Sequence, residues 1–285
     1  LNKKQIQTIL SSKGFNEHYS NSLYNHSQTT HFSHLPTLEI INESSVEMKF
    51  LRNSLLPGLL KATAFNEKRN QNIFKLFEIG SIHHLIKNSK GDKNNQKTNL
   101  AMIWFGKNDQ HWKQQFEQDI FYAKGEVYSI LEILKMENIN FKIHSYDFLK
   151  DGFSIFLGKI KIGFLGTLND SLKNLYDIKQ DISVCEISLN LLKDKCKLIS
   201  YKEPPQYPSV KRDLSLLISK SFFGQDIIDY IFNQNDALLI NVNIFDVYQG
   251  DKIEEGKKSI SISLHYQSPE KTLIDKEVDD RLSDL

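Results

Sequence analysis

Three of the chain's six prolines, Pro204, Pro205 and Pro208, fall within five positions, and this cluster constrains the fold more than any other stretch. Proline lacks a backbone N–H and holds the residue before it in an extended conformation. The segment therefore cannot continue a helix or lie in the middle of a sheet. We predict a linker over residues 199–208, one domain at 1–198 and a second at 209–285. A length of 285 residues fits two domains.

The region before the linker has the mixed periodicity of an α+β domain. Residues 3–13 predict a short amphipathic helix that Gly14 ends. Ser54 is positioned to cap a second helix, whose apolar residues over Leu55–Ala64 suggest a surface for another subunit. Further elements are expected as a helix at about 120–135, strands near 73–79, 100–105, 141–146, 159–168 and 182–188, and a polar loop at 87–97.

The region after the linker reads as β-α-β-β-α, a ferredoxin-like split unit lacking its last strand. A right-handed crossover places both helices of such a unit on one face of the sheet and leaves the other face open. Completing the unit takes one more strand, so we expect roughly 15–25 further residues in the native protein. The chain also opens without a methionine or an apolar secretory segment, which suggests a piece of a longer protein.

The strand expected from Leu238 to Tyr248 carries apolar residues on both parities. A β-bulge near Ile244 and Phe245 resolves the conflict, because it keeps the apolar residues buried and turns Asp246 and Tyr248 onto the open face. Ser215 and Ser259 have the parity of that face as well. Aromatic rings stack on bases and carboxylates accept from base N–H groups, so this face suits base recognition. On the pattern alone, an ordinary solvated surface with one tyrosine is favoured over a base-binding face, because isolated exposed aromatic residues are common.

Charge restricts how the C-terminal region could hold a nucleic acid. Residues 200–285 contain 10 basic and 15 acidic side chains, a net charge of −5. Long-range attraction of a phosphate backbone therefore has the wrong sign, and contacts must come from a local patch.

Four motifs in this region resemble the ferredoxin-fold anticodon-binding domain that ends the β subunit of bacterial phenylalanyl–tRNA synthetase. They are Tyr207–Ser215, Phe245–Gly250, Glu254–Ser259 and Pro269–Leu273. Upstream, three segments resemble the synthetase-like module of the same subunit: Leu51–Leu60, Leu76–Gly80 and Asp119–Val127. The stretch Asp151–Ile155 departs from the family, which usually has a turn containing His-Pro-Gly there.

The resemblance implies an (αβ)₂ heterotetramer, located in the cytoplasm and not in a membrane, that joins phenylalanine to tRNA(Phe) with ATP and Mg²⁺. In this family the α subunit holds the active site and β supplies an inactive copy of the class II fold, so no catalytic residue, cofactor or metal is expected in this chain. The editing domain would lie upstream. The resemblance assigns the first anticodon base, a guanine, to Ser215, Asp246, Tyr248 and Ser259. We further expect Arg212, Lys257 and Lys258 to contact nearby phosphates as a local basic rim. For the two lysines, the alternative is a solvated turn.

The residues themselves also argue against adenylate chemistry in this chain. A class II site holds triphosphate charge with arginines, one of them after a Gly-x-Gly element. The sequence has no Gly-x-Gly and no arginine between Arg69 and Arg212. A self-sufficient ligase is therefore disfavoured. The remaining alternative is a ferredoxin-like regulatory module that binds a small ligand without RNA.

Overall fold

The computed structural model describes residues 2–33, 35–42, 45–86, 93–108, 116–193, 195, 203–234, 236–250 and 253–283. Contacts divide the chain into two compact units, Leu1–Ile199 (unit 1) and Ser200–Leu285 (unit 2). Within the described ranges, no helix is both long and apolar enough to cross a lipid bilayer.

Unit 1 combines helices with long antiparallel strands. Its helices are α1 (Lys3–Ser12), α2 (His26–Thr30), α3 (Leu56–Glu67), α4 (Ile120–Ile133), α5 (Asp170–Tyr176) and α6 (Leu189–Leu192). Its strands are β1 (Phe15–Glu17), β2 (Leu23–Tyr24), β3 (Phe50–Leu51), β4 (Ile73–Ile86), β5 (Lys93–Asn108), β6 (Phe116–Glu117), β7 (Ile139–Ile143), β8 (Leu149–Leu157), β9 (Ile160–Leu168) and β10 (Ile182–Ser188).

The main sheet of unit 1 has the strand order β1-β4-β5-β10-β9-β8-β7, with β6 paired to β5. Only β1 and β4 pair in parallel among these described strands. Side chains of one strand alternate between the two faces of the sheet. Both faces are covered, because Met102 and Trp104 pack with α1, α4 and α6, whereas Ala101, Ile103 and Phe105 pack with α3 and α5.

Local capping interactions account for the ends of several helices. Asn2 caps α1, and Gly14 follows it with φ +82°. The Asp119 carboxylate accepts from the Tyr122 N–H and begins α4. Helix α3 begins one residue later than a Ser54 cap predicts, because Leu55 is its N-cap and the Ser54 hydroxyl also donates to Glu186.

The expectation that Leu55–Ala64 covers another subunit is wrong for its apolar side chains. Leu55, Leu56, Leu59 and Leu60 are 0% exposed and form part of unit 1's own core. The stretch Asp151–Ile155, which departs from the family pattern, lies in β8. The sequence patterns did not indicate this strand. The loop predicted at 87–97 is strand from Lys93 onward, and residues 87–92 lie outside the described residues.

Unit 2 is a three-stranded antiparallel sheet with two helices. Its elements are β11 (Val210–Ser219), α7 (Gly224–Asn233), β12 (Leu239–Tyr248), β13 (Lys257–Tyr266) and α8 (Asp275–Ser283). The strand order is β11-β13-β12, which is the order of a split βαββα unit. Ile231 of α7 and Val278 of α8 are buried against Ile260, Ile262 and Leu264 of the central strand, so the helices cover one face.

Candidate nucleic-acid interface

The uncovered face of the unit 2 sheet, called here the open face, is built from cross-strand rows. Antiparallel pairing places directly opposed residues on the same side of a sheet. The rows run across β11, β13 and β12 in that order, and successive rows alternate with rows that face the helices. From one end to the other they are Lys211–His265–Asn241, Asp213–Ser263–Asn243, Ser215–Ser261–Asp246 and Leu217–Ser259–Tyr248, followed by Ser219–Lys257.

The four residues expected to bind the anticodon base therefore lie on one face and in neighbouring rows. Ser215 and Asp246 flank Ser261, and Tyr248 lies beside Ser259. Two residues along a strand span roughly 6.6 Å, so adjacent rows lie within reach of a single nucleobase. The Ser215 and Ser261 hydroxyls are 3.2 Å apart and already hydrogen-bonded to each other.

Tyr248 presents an aromatic surface that is 45% exposed. Its ring and hydroxyl lie against Gly250, where an added Cβ would overlap the phenol. A glycine at this position thus lets the ring lie close to the backbone after β12. The held ring can serve as a stacking platform, since base–aromatic stacking needs an accessible ring face.

The predicted bulge in β12 is present. The register shifts between Ile244, which pairs with Ile262, and Asp246, which pairs with Ser261, so Phe245 is the extra residue. The bulge turns Asp246 and Tyr248 to the open face as expected. Burial of the apolar residues was predicted wrongly, because Ile240, Phe245 and Val247 are 51%, 54% and 49% exposed. Ile240 is itself the extra residue at a second shift, between Leu239 and Asn241.

Arg212 lies on the side of β11 that faces the helices, and this corrects its assignment as a phosphate contact. It pairs with Leu264, and its guanidinium donates to the carboxylates of Asp275 at 2.5 Å and Asp279 at 2.9 Å. These two hydrogen bonds, that to Asp275 first, raise the pKa of Arg212 above its ordinary value. The guanidinium is therefore engaged with α8 and does not reach the open face.

The two lysines at the start of β13 face opposite sides. Lys257 is in register with Ser219 on the open face, and its ammonium lies 2.6 Å from the Glu254 carboxylate. Lys258 is in register with Ile218 on the helix side, and its ammonium donates to the Lys220 carbonyl at 3.4 Å. Both lie at the end of the sheet near Tyr248, and only Lys257 shares its face.

Parity arguments for single residues missed part of this surface. Lys211 and Asp213 share the parity of Ser215 on β11, and Asn243 shares that of Asp246 across the bulge. The Lys211 ammonium lies 3.3 Å from the Asp213 carboxylate. Hydrogen bonding from Ser263, and then from Lys211, lowers the pKa of Asp213. Extending the alternation along β11 was the available signal for these residues.

The polar groups buried in unit 1 form structural pairs. Glu78, 2% exposed, accepts from Arg52 at 2.5 Å and from Ser20 at 2.6 Å in a buried hydrogen-bond network. Arg69 lies with its guanidinium carbon 3.4 Å from the Phe65 ring centroid, on the outside of α3. Across the described ranges, no cluster of three or more His, Cys, Asp or Glu side chains is arranged to hold a metal ion. Arg52 and Arg69 are thus engaged within unit 1, and among the described residues they do not converge on a site for triphosphate.

In comparisons with known proteins, two family models match the chain, one in each of its two units. Residues 1–189 match the family model described as phenylalanyl tRNA synthetase beta chain CLM domain, and residues 205–285 match the ferredoxin-fold anticodon binding domain. The phenylalanine–tRNA ligase beta subunits of Oceanobacillus iheyensis and Bacillus subtilis are 30% and 31% identical over 97% of this chain. That of Pasteurella multocida is 34% identical over 85% of it.

The chain spans about a third of the length of these curated relatives, 35%, 35% and 31% respectively. Among solved structures, a pyrrolysyl tRNA synthetase from Desulfitobacterium hafniense superposes with a TM-score of 0.54 at 15% identity, covering 70% of each chain. That likeness concerns the fold alone, and it agrees with a synthetase-like α+β module.

Proposed function

This chain belongs to the family of phenylalanine–tRNA ligase β subunits, and from that premise we propose that it supports the ATP-dependent charging of tRNA(Phe) with phenylalanine. Unit 2 binds the tRNA anticodon, and unit 1 docks the α subunit of an (αβ)₂ ligase. The complete cytoplasmic enzyme uses ATP and Mg²⁺, and the reacting groups lie on α.

The observation that carries the proposal is the convergence of Tyr248, Asp246, Ser215 and Ser259 in neighbouring rows of the open face. The Tyr248 ring stacks on the first anticodon base, since aromatic side chains stack the unpaired bases of single-stranded RNA. The Asp246 carboxylate accepts from the N–H groups on the Watson–Crick edge of guanine, because an ionised carboxylate offers only acceptors. The serine hydroxyls donate or accept at its remaining atoms.

Docking of the α subunit falls to residues other than the buried leucines of α3. Phe65 is 55% exposed on that helix, beside an open cavity of about 650 Å³ that Tyr19 and Met48 also line. Large exposed apolar side chains beside a concave surface are typical of protein interfaces. Replacing Phe65 with aspartate should reduce co-purification with α, and undiminished recovery of α would assign docking elsewhere.

The test of anticodon binding uses the complete ligase and tRNA carrying each of the four bases at the first anticodon position. Tyr248→Ala should lower the affinity for the guanine-containing tRNA by about 1–3 kcal/mol, the free energy of one base stack. Asp246→Ala should chiefly reduce the preference for guanine over the other three bases. Both variants leave the α subunit unaltered, so charging at saturating tRNA should be retained.

Asp229→Ala provides the matched control for Asp246→Ala. Asp229 is an exposed carboxylate on α7 of the same unit, so its removal changes the charge equally without touching the open face. If Tyr248→Ala and Asp246→Ala both leave the guanine preference at its original value, the open face is not the anticodon site.

A further inference from the structure

Phe245 is an exposed aromatic residue of unit 2 that has no role in the proposed anticodon site. As the extra residue of the bulge it has no pairing partner in β13, and its ring is 54% exposed. The Lys211 ammonium lies 5.6 Å from the ring centroid, within the range of a cation–π contact. Since Lys211 projects from the open face, this contact places the Phe245 ring on the open face as well.

The ring adjoins polar side chains that can reach a base. The exposed members of the row beside it are Asp213 and Asn243, whereas Ser263 between them is only 2% exposed, and the next row contains His265 and Asn241. The Ser263 hydroxyl lies 3.3 Å from Nε2 of His265. Within the described residues, the side-chain amides of Asn241 and Asn243 form no hydrogen bond, so the donors and acceptors of these two side chains are available to a ligand.

Charge on this face favours bases over phosphates as the bound groups. The Lys211 and Lys257 ammoniums are already paired with the carboxylates of Asp213 and Glu254, and unit 2 as a whole is acidic. Backbone phosphates therefore gain little from long-range attraction here. Stacking is the contribution that does not depend on net charge, and each stacked base contributes separately.

We infer that Phe245 is a second base platform, which stacks one nucleotide adjacent to the base held on Tyr248. The inference rests on the proposed function and adds a second position to the same site. The base takes the place now occupied by the Lys211 ammonium over the ring, and Asn243 and Asp213 contact its edge. The open face then holds two consecutive unpaired nucleotides, one on either side of the row Ser215–Ser261–Asp246.

The experiment measures tRNA affinity of the complete ligase by equilibrium binding, with Phe245→Ala and, as control, Phe232→Ala. Phe232 is 43% exposed on α7, which covers the opposite face of the sheet. Phe245→Ala should weaken binding about 5- to 150-fold, the range expected for loss of one stacked base. Phe232→Ala should leave the affinity unchanged.

A second arm uses two abasic tRNAs. One lacks the base of the nucleotide that precedes the first anticodon nucleotide, and the other lacks the base of the nucleotide that follows it. One of these two abasic tRNAs should bind the unmodified ligase as weakly as intact tRNA binds the Phe245→Ala variant. On that variant the same abasic tRNA should show no further loss, because the stack is already absent. Additive losses for both abasic tRNAs would overturn the inference.

Tyr248→Ala, measured in parallel, separates the two proposals. If Tyr248→Ala weakens binding and Phe245→Ala does not, the second platform is refuted and the anticodon site stands. If neither variant weakens binding, both proposals fall.

Discussion

Gly250 controls the position of the Tyr248 ring at the scale of a single atom. A Cβ at this position would overlap the ring, so Gly250→Ala should push the phenol away from its stacking position. We expect weaker tRNA binding by the complete ligase, by no more than Tyr248→Ala causes, with an unchanged melting temperature. Gly125→Ala is the matched control, since an added Cβ there meets no atom within 4 Å. Equal affinities for the two variants would contradict this account of Gly250.

Glu186 couples the stability of unit 1 to pH. Its carboxylate accepts from the Ser54 hydroxyl at 2.6 Å and the Asn99 amide at 2.7 Å, and burial raises its pKa despite these bonds. A raised carboxyl pKa means that the folded state binds the proton more tightly than the unfolded chain. The stability contribution is therefore complete below the ordinary pKa of about 4.5 and is lost as pH rises through the raised value.

Glu186→Gln removes this titration while keeping nearly the same shape. The free energy of unfolding of the unmodified chain is measured with urea at several pH values. It should decrease relative to that of the Glu186→Gln variant as pH rises above about 4.5. Tryptophan fluorescence reports on unit 1, because both tryptophans, Trp104 and Trp112, precede the linker. A difference between the two proteins that does not vary with pH would refute the linkage.

Among the elements, α8 is fastened to β11 by Arg212. Replacing Arg212 with glutamine should speed amide hydrogen exchange in α8, because both of its carboxylate partners lie on that helix. The salt dependence of tRNA binding should stay unchanged. Lys257→Gln, on the open face, should lower the salt slope by about one unit, as expected for one lost phosphate contact. A reduced slope in Arg212→Gln would return that arginine to the RNA interface.

The hairpin of β4 and β5 depends on a glycine at its base. Gly106 has φ +89°, and an added Cβ would overlap the Asn72 carbonyl. Gly158 has φ +56° with open space around it, so Gly158→Ala isolates the backbone strain, roughly 1–2 kcal/mol. Gly106→Ala should destabilise unit 1 by more than that in urea unfolding. If Gly106→Ala and Gly158→Ala lose the same stability, the backbone at Asn72 moves to accommodate the added Cβ without a further energetic cost.

Sequence patterns predicted the elements whose signals are local. Alternation in β13 and helical spacing in α4 located those elements, and conflicting parity in β12 located its bulge. The distal half of the β4–β5 hairpin was missed, because His83, His84 and residues 93–98 are polar and weak strand formers held by pairing alone. The exposure of Phe245 was missed because parity assigns a face only to residues that take part in the ladder.

The site was predicted only in part, for the same physical reason. Tyr248 and Asp246 follow from their own strand, whereas the direction of Arg212 depends on where α8 packs. No pattern in β11 distinguishes an arginine that binds phosphate from one that binds two aspartates on a later helix. Which of these partners the arginine binds is decided by the tertiary packing of the later helix against the strand.

At the scale of the whole molecule, we expect that this chain does not activate phenylalanine by itself. Both faces of the unit 1 sheet are covered by helices, and its arginines are engaged, Arg52 with Glu78 and Arg69 with Phe65. The purified chain should therefore give no ATP–pyrophosphate exchange with phenylalanine. Adding the α subunit with the complete β chain should restore the exchange. A signal from the 285-residue chain alone would show that it forms the adenylate.

The bulge in β12 also determines where the chain can change length. Deleting Phe245 would join Ile244 to Asp246, whose side chains already alternate, so the strand would become regular and Tyr248 would keep its face. Deleting Val247 instead would turn Tyr248 toward the helices. A one-residue deletion in this part of the strand is therefore compatible with guanine binding only at the bulge. Variation in the length of this strand among related chains should be confined to its two extra residues, Phe245 and Ile240.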